Sequence, residues 1–306
     1  MGTMSPVIPM LTLVGAVQAA PPRTLASEAI RDGRPRRALQ LSTARLQRAP
    51  DDPDAMATLA GAWSRTGHFA DAAATFDLAL GSSWYEDLGI ESHADALRAG
   101  ASPEAARLHE ERLAMGGLST GREIRLHVDL IDDHRAAGDL ISAQAAADAG
   151  LALTPRAPTL LAAEADILVD LGHLEAAEAA LAQSLDAGPT LRAHLVAARI
   201  ALLRDQPFLA FEWAEEGRSF RSQSLRLSAV RLEAMRRLDD QDGIDDVLGM
   251  LRVRYNDHPE IMAVKMRIHA DRGERGALLE LAGRARELYP ENTELQTTLR
   301  LLGLDG

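Results

Sequence analysis

The sequence predicts an all-α protein that is built from a repeated pair of helices. Turns centred on Gly or Asp recur at intervals of 31 to 38 residues, and small apolar residues recur in phase with them. Alternating runs of β-branched and aromatic residues, which strands would need, are missing. Good helix formers dominate the 306 residues, and only 4% of them are aromatic. These features favour one continuous array of helix hairpins without a division into domains.

The first element is an apolar run within the first twenty residues that ends in the small-x-small pattern V-Q-A at residues 17–19. This pattern is typical of a signal peptide and predicts Ala20 as the new N-terminus. Residues 1–6 carry no Lys or Arg and Pro9 interrupts the run, so the alternative is a buried or disordered extension. We expect residues 1–19 to be a signal peptide and the protein to be periplasmic or secreted, with a cytoplasmic location as the alternative.

The clearest repeat unit covers residues 56–80. Its two helices carry apolar faces at helical spacing, with Leu59, Ala60 and Trp63 on the first and Ala72, Phe76 and Ala79 on the second. A small residue near the start of the second helix and an aromatic residue four positions later resemble the pattern of tetratricopeptide repeats.

The same pattern extends along most of the chain. Its turns are predicted at Gly33, Gly67, Gly100, Gly138, Gly172, Asp205, Asp242 and Gly273. The small residue after each turn is predicted at Ala38, Ala72, Ala105, Ala143, Ala177 and Ala210, and Val247 and Leu278 take its place in the last two units. Prolines that we expect to start the next helix lie 17 residues after a turn, at Pro50, Pro155, Pro189, Pro259 and Pro290. The two longest intervals, after Gly100 and after Asp205, predict loop insertions.

The resemblance implies a right-handed superhelical solenoid of about eight hairpins. We expect the solenoid to cover residues 20–292 and residues 293–306 to form a C-terminal capping helix over its last apolar face.

Composition excludes or disfavours several classes of function. The chain has no cysteine, so disulfides, thiolate catalysis and cysteine-ligated metal sites are excluded. Its formal charge of -12 disfavours nucleic-acid binding, because phosphates would be repelled at long range. No further segment is long and apolar enough to span a membrane, so we expect no membrane span in the mature chain.

Candidate catalytic residues are few. The sequence has no nucleophile elbow, phosphate-binding glycine loop, His-Glu-x-x-His or dinucleotide fingerprint. His127 and His134 lie seven residues apart on one helix, where we expect them to replace packing aromatics; the alternative is a metal or enzyme site that also includes Asp132. The acidic pairs, at residues 132–133, 239–240 and 245–246, are predicted to be solvated. We therefore predict no catalytic residue, metal or cofactor.

The resemblance implies a protein-interaction scaffold or adaptor whose first helices line a concave groove. Equivalent inward-facing places hold Gly61, Asp132, Asp166, Arg199, Arg236 and Arg267, and Arg192 lies near them. Because guanidinium groups bind carboxylates with paired hydrogen bonds, the hypothesis is that the groove binds a protein or peptide with an acidic or C-terminal segment. The alternative is that each arginine pairs with a neighbouring aspartate, such as Asp239 or Asp271.

A second hypothesis concerns four aromatic residues within thirteen positions. Phe208 and Phe211 are predicted to pack between repeats, whereas Trp213 and Phe220 are candidates for contact with a partner. A rival function is a cytoplasmic regulatory or sensor module that binds a signalling peptide in the same groove.

Overall fold

The computed structural model describes residues 25–31, 35–65, 68–79, 90–220, 224–251, 258–290 and 292–304. These ranges contain seventeen α-helices and no strand, as the sequence predicts. The predicted signal peptide and two of the predicted turn residues, Gly33 and Gly67, lie outside them. Within the described ranges, no helix combines the length and apolar character that spanning a bilayer requires.

The helices form eight antiparallel pairs and one final helix. Their bounds are α1 Leu25–Arg31, α2 Pro35–Leu46, α3 Pro53–Arg65, α4 Phe69–Leu78, α5 Ile90–Ala99, α6 Glu104–Ala114, α7 Thr120–Ala136, α8 Leu140–Leu153, α9 Pro158–Asp170, α10 Leu174–Ala187, α11 Leu191–Leu203, α12 Pro207–Gly217, α13 Leu225–Arg237, α14 Gln241–Leu251, α15 Pro259–Asp271, α16 Arg275–Leu288 and α17 Thr293–Leu301. The all-α solenoid prediction is confirmed.

Turn residues within the pairs adopt the left-handed backbone conformation. Gly138, Gly172 and Gly273 have φ between 68° and 78°, and Asp205 has φ 57°. Glycine has no Cβ to clash in this region, and aspartate tolerates it better than most residues. The recurring turn therefore has a backbone cause.

The predicted turn at Asp242 is wrong. Asp242 lies inside α14, and the left-handed residue is Asp239, with φ 57°. The buried residue five positions after that turn is then Ile244 in place of Val247. With this correction, the turns from Gly172 to Gly273 follow at 33 or 34 residues. The predicted insertion after Asp205 does not lengthen the repeat. The loop after α12 is longer than the loop after α10, but α12 itself is three residues shorter than α10.

Two other sequence expectations need correction. The left-handed residue after α5 is Ala101, with φ 59°, and not Gly100. Of the prolines predicted to start a helix, only Pro259 does so. The others precede the next helix by two or three residues. The first position of α3 and of α9 is instead occupied by Pro53 and Pro158, where a missing N–H costs no helical hydrogen bond.

The odd-numbered helices form the inner surface of the array. Each one packs against its own partner and also against the next odd-numbered helix, from α1 through to α17. Inner helices of a curved array approach one another more closely than outer helices, so this pattern places them on the concave side. We call the surface that α5, α7, α9, α11, α13, α15 and α17 form on this side the lumen.

The array also touches itself after one turn. Phe69 and Ala99, from α4 and α5, pack against the C-terminal core cluster that contains Tyr289 and Leu295. The Nδ2 amide of Asn292 donates a hydrogen bond to the carbonyl oxygen of Ala99 at 3.0 Å. The Phe69 ring meets His258 edge to face, with centroids 5.3 Å apart. We call this contact, formed by Phe69, Ala70 and Ala99 with His258, Tyr289, Asn292 and Leu295, the seam.

The final helix completes the last core cluster. Leu295 and Leu299 of α17 are buried in one core cluster with residues of α15 and α16, which include Met266 and Leu278.

Candidate functional site: the charged lumen

The lumen is lined by two rows of ionisable side chains that repeat with the hairpins. Six residues before each turn lie Asp132, Asp166, Arg199, Glu233 and Arg267. Seven residues before the last three of these lie Arg192, Arg226 and Glu260, and Glu294 follows Glu260 by 34 residues, on α17. Both rows therefore have the spacing of the repeat, and side chains from different hairpins face one another across the concave side.

Asp132 lies at the centre of the first group of ion pairs. Its carboxylate accepts hydrogen bonds from Arg192, from Arg226 at 3.2 Å and from Arg135 at 3.3 Å. Burial alone would raise the pKa of Asp132, but the charges of Arg192 and Arg226 outweigh it and hold the pKa well below the ordinary value. Arg226 belongs to α13, so this carboxylate joins hairpins that are not neighbours.

Asp166 and Asp170 form the next group, on α9. Arg135 donates to both carboxylates at 2.6 Å, and Arg199 also bonds both, at 2.7 Å in the case of Asp170. Arg192 reaches Asp166 at 3.3 Å. Burial would raise the pKa of Asp166, and the guanidinium groups around it lower it below the ordinary value.

Glu233 organises the group on α13. Arg236 donates to both of its oxygens at 2.9 and 3.0 Å, and Arg267 donates at 3.2 Å. Arg236 also donates to Asp271 at 2.6 Å. The prediction that Arg236 lies in the inner row is wrong by three residues, because the turn is at Asp239. Glu233 occupies that place.

Two carboxylates lie at the C-terminal end of the lumen. Arg226 Nε is 3.2 Å from a carboxylate oxygen of Glu260, and Arg267 Nη2 is 3.9 Å from one of Glu294. Enclosure in the lumen and the neighbouring charge of Glu260 raise the pKa of Glu294 to about 7, although Arg267, Arg199 and Arg226 oppose this shift. The side chain remains 46% exposed.

A separate buried cluster lies between α5, α6 and α7. His109 is fully buried, and its Nδ1 lies 2.5 Å from a carboxylate oxygen of Asp133, which Arg98 also bonds. Burial would lower the pKa of His109, but the hydrogen bond and charge of Asp133 raise it above the ordinary value. The prediction that the pair at 132–133 is solvated is therefore wrong, whereas the pairs at 239–240 and 245–246 are exposed as predicted.

The structure brings together most of the predicted groove residues. Asp132, Asp166, Arg192 and Arg199 form one connected network, and Arg236 and Arg267 meet at Glu233. Each of these arginines pairs with an acidic residue of the chain, which is the alternative that the sequence left open. Of the two partners named there, Asp271 pairs with Arg236. Binding of a partner at these residues stays a prediction.

The two histidines considered as metal ligands have different surroundings. The Cβ of His127 would lie 3.1 Å from a Cβ added at Gly150, and burial lowers the pKa of His127. His134 Nε2 is 3.8 Å from a carboxylate oxygen of Glu110. Among the residues that the structure describes, no group of three or more His, Cys, Asp or Glu side chains is placed to hold a metal ion.

The four aromatic residues of the second hypothesis differ in how far they are buried, and Phe208 is not buried as predicted. Trp213 is partly buried and packs against two core clusters. Phe220 is 48% exposed, and its ring contacts the ring of His194, with ring centroids 5.0 Å apart. Phe211 packs between repeats as predicted. Phe208 does not, because 64% of it is exposed on α12.

Sequence reasoning missed Arg135, Arg226, Glu233, Glu260 and Glu294. Arg192, Arg226, Glu260 and Glu294 lie at intervals of 34 residues, so a second row of the repeat could have been found from spacing alone. The partners that lie in other hairpins, such as Asp132 for Arg226 and Arg267 for Glu233, could not be found in this way.

Comparison with known proteins supports the fold. Residues 29–82 match the family model described as Tetratricopeptide repeat. A tetratricopeptide repeat protein from Parabacteroides merdae has a similar structure, with TM-score 0.55 and 14% identity over 69% of this chain and 82% of that one. The Cut9–Hcn1 hetero-tetramer of the APC/C gives TM-score 0.53 and 13% identity over 89% of this chain, which spans about half (53%) of the matched chain.

No match to the chain is found among curated proteins. Residues 29–82 thus carry the tetratricopeptide repeat pattern, and the chain as a whole has the all-α solenoid fold of tetratricopeptide repeat proteins.

Proposed function

We propose that the chain is a non-catalytic scaffold or adaptor that binds a protein or peptide in its lumen. The fold suggests a role in protein–protein interaction. The observation that carries the proposal is the ionised lining of the lumen. Replacing buried ion pairs by apolar packing is often neutral or stabilising, so an inner surface that served packing alone would have no need of so many charges.

The proposed ligand is an acidic or C-terminal peptide segment. Arg199, Arg236 and Arg267 keep between 22% and 34% of their side-chain surface exposed. Asp271, one of the carboxylates that pair with them, is itself about half exposed. A carboxylate of the ligand would replace such a partner and accept the same paired hydrogen bonds from a guanidinium group.

The test uses arrays of acidic peptides and the purified chain. Peptides that bind are remade with Gln in place of Glu and compared by fluorescence anisotropy. We expect the acidic forms to bind more tightly, and their affinity to fall as salt screens the charges. Equal affinity of the Gln forms would contradict recognition of acidic groups.

A matched pair of variants tests whether the lumen is the binding surface. Arg199→Ala removes a lumen cation, whereas Arg156→Ala removes an exposed cation that pairs with Asp186 outside the lumen network. We expect the first variant to weaken peptide binding and the second to leave it unchanged. Equal losses in the two variants would exclude the lumen as the binding surface.

Export of the chain is part of the proposal. It is supported by the apolar run and the small-x-small pattern at residues 17–19. Mass spectrometry of the protein from its host tests it: a chain that starts at Ala20 agrees, and an intact first residue favours the cytoplasmic regulatory module.

A further inference from the structure

The seam joins parts of the chain that the repeat pattern does not bring together. In a solenoid each repeat contacts its neighbours, and the larger helix contacts of this chain follow that rule. The seam is different, since Asn292 and Ala99 are 193 residues apart in sequence. It brings α4 and α5 into contact with the C-terminal helices and so closes the described part of the array into a ring.

Asn292 performs two tasks in the seam with one side chain. Its Oδ1 accepts a hydrogen bond from Leu295 N at 3.0 Å and so caps the N-terminus of α17. Its Nδ2 donates to the carbonyl oxygen of Ala99, the last residue of α5. Carbonyl groups in the last turn of a helix have no partner within the helix, so this bond satisfies an acceptor that would otherwise need water.

The seam is small. Among the described residues it comprises this hydrogen bond, the ring pair of Phe69 and His258, and packing of Phe69, Ala70 and Ala99 against the C-terminal cluster. Stable protein interfaces use roughly 20 residues on each side. A contact of a few residues can therefore open while the helix pairs on both sides remain folded.

We propose that the seam is a gate that controls entry to the lumen. While it is closed, a chain segment reaches the lumen only from the two ends of the array. When it opens, the second and third hairpins separate from the C-terminal helices, and the charged rows become accessible from the side. The gating of a ligand rests on the proposed function, whereas opening and closing of the seam does not.

The first test measures closure across the seam. The chain contains no cysteine, so two can be introduced and labelled without background. Asp71→Cys on α4 and Thr297→Cys on α17 are exposed positions on opposite sides of the seam. We expect energy transfer between donor and acceptor labels to fall when Asn292→Asp is added.

Substitution by aspartate distinguishes loss of the bond to Ala99 from loss of the helix cap. Asn292→Asp retains the acceptor that caps α17 and loses the donor to Ala99, whereas Asn292→Ala loses both. The proposal requires both variants to lower the transfer efficiency with an unchanged helical circular-dichroism spectrum. An effect of Asn292→Ala alone would assign the change to the cap and overturn the gate.

A control pair lies away from the seam. Asp148→Cys on α8 and Glu212→Cys on α12 are exposed, and their energy transfer should not change in either variant. A change there would mean that the whole array has deformed, which would also overturn the proposal.

The second test measures access to the lumen. The label is placed at Ala136, which lies two residues before the turn glycine of its hairpin. Asp170 of the lumen network has the equivalent place in the next hairpin. In Ala136→Cys, we expect Asn292→Asp to speed labelling by a bulky polyethylene-glycol maleimide about three- to tenfold, the range that one lost hydrogen bond produces in an equilibrium. Labelling by a small maleimide should stay the same.

Equal rates for the bulky reagent in both backgrounds would overturn the gate. Neither test needs a ligand, so failure of the gate leaves peptide binding in the lumen intact. Conversely, an open seam in a chain that binds no acidic peptide would contradict the proposed function and leave the gate standing.

Discussion

The guanidinium group of Arg226 reaches across the lumen to the carboxylate of Asp132, which precedes it by 94 residues, with Nη1 and Oδ2 3.2 Å apart. Arg192 bonds the same carboxylate from α11. One buried aspartate of α7 therefore connects three hairpins, and its charge is the anchor of the lumen network.

We predict that Asp132→Asn destabilises the fold by about 3 to 5 kcal/mol, because it leaves Arg192 and Arg226 without their shared anion. Urea denaturation at pH 7 followed by circular dichroism measures this. The matched control is Asp186→Asn, which removes an exposed carboxylate paired with Arg156 at 3.0 Å and should cost less than about 0.5 kcal/mol. Equal costs would show that the lumen network does not contribute.

The contribution of Asp132 should disappear in acid. The folded pKa lies well below the ordinary value of 3.8, so the stabilisation is complete above about pH 5 and is lost as the pH falls through 3.8 towards the folded pKa. The difference in unfolding free energy between wild type and Asp132→Asn should therefore shrink in that range. A difference that stays constant down to pH 3 would contradict the ion-pair account.

His109 should show the opposite pH dependence. Its folded pKa is raised above 6.5, so its pairing with Asp133 stabilises the fold below pH 6.5, and this contribution is lost as the pH rises through the folded pKa. We expect His109→Leu to cost more stability at pH 6 than at pH 9. Replacement of the exposed His173 by Ala serves as control and should show little cost at either pH.

Glu294 should destabilise the fold when it is ionised. Its folded pKa of about 7 exceeds the ordinary value of 4.5, so the cost is absent below pH 4.5 and complete above pH 7. Glu294→Gln should therefore raise the free energy of unfolding at pH 8 and leave it unchanged at pH 4.5. A carbon-13 NMR titration of the side-chain carboxyl group measures the pKa directly, and a midpoint below 5 would contradict this prediction.

Gly150 should resist substitution although it lies in a helix. A Cβ added there would lie 2.9 Å from Leu160 Cδ2 and 3.1 Å from His127 Cβ. Overpacking of about 1 to 3 kcal/mol outweighs the helix propensity that alanine adds, so Gly150→Ala should lower thermal stability.

The matched control is Gly283→Ala, in α16, where an added Cβ meets nothing within 4 Å. It should raise stability by up to about 1 kcal/mol, because alanine is the better helix former. The same sign for both substitutions would contradict the packing of His127 between α7 and α8.

The sequence by itself determined the repeated hairpin, because the causes of that unit are local. Left-handed turns at Gly138, Gly172 and Gly273 need a residue without steric penalty, and buried positions such as Ala143 and Ala177 need a small side chain where two helices meet. Both requirements leave a pattern that spacing reveals.

The register of one hairpin was decided by packing. Asp239 and Asp242 are the same residue type, and either could form the turn when only the local sequence is considered. Burial of Ile244 and the left-handed backbone at Asp239 select the first. The choice also exchanges Arg236 for Glu233 in the inner row and so changes the sign of the charge there.

The partners of the charged side chains and the closure of the array were decided by the tertiary structure alone. Whether Arg226 meets Asp132, or Asn292 meets Ala99, depends on a small rotation between hairpins that accumulates over several units. No local pattern encodes this sum. The sequence therefore predicted part of the inner row, such as Asp132, Asp166 and Arg199, whereas the curvature of the whole array decided which side chains meet.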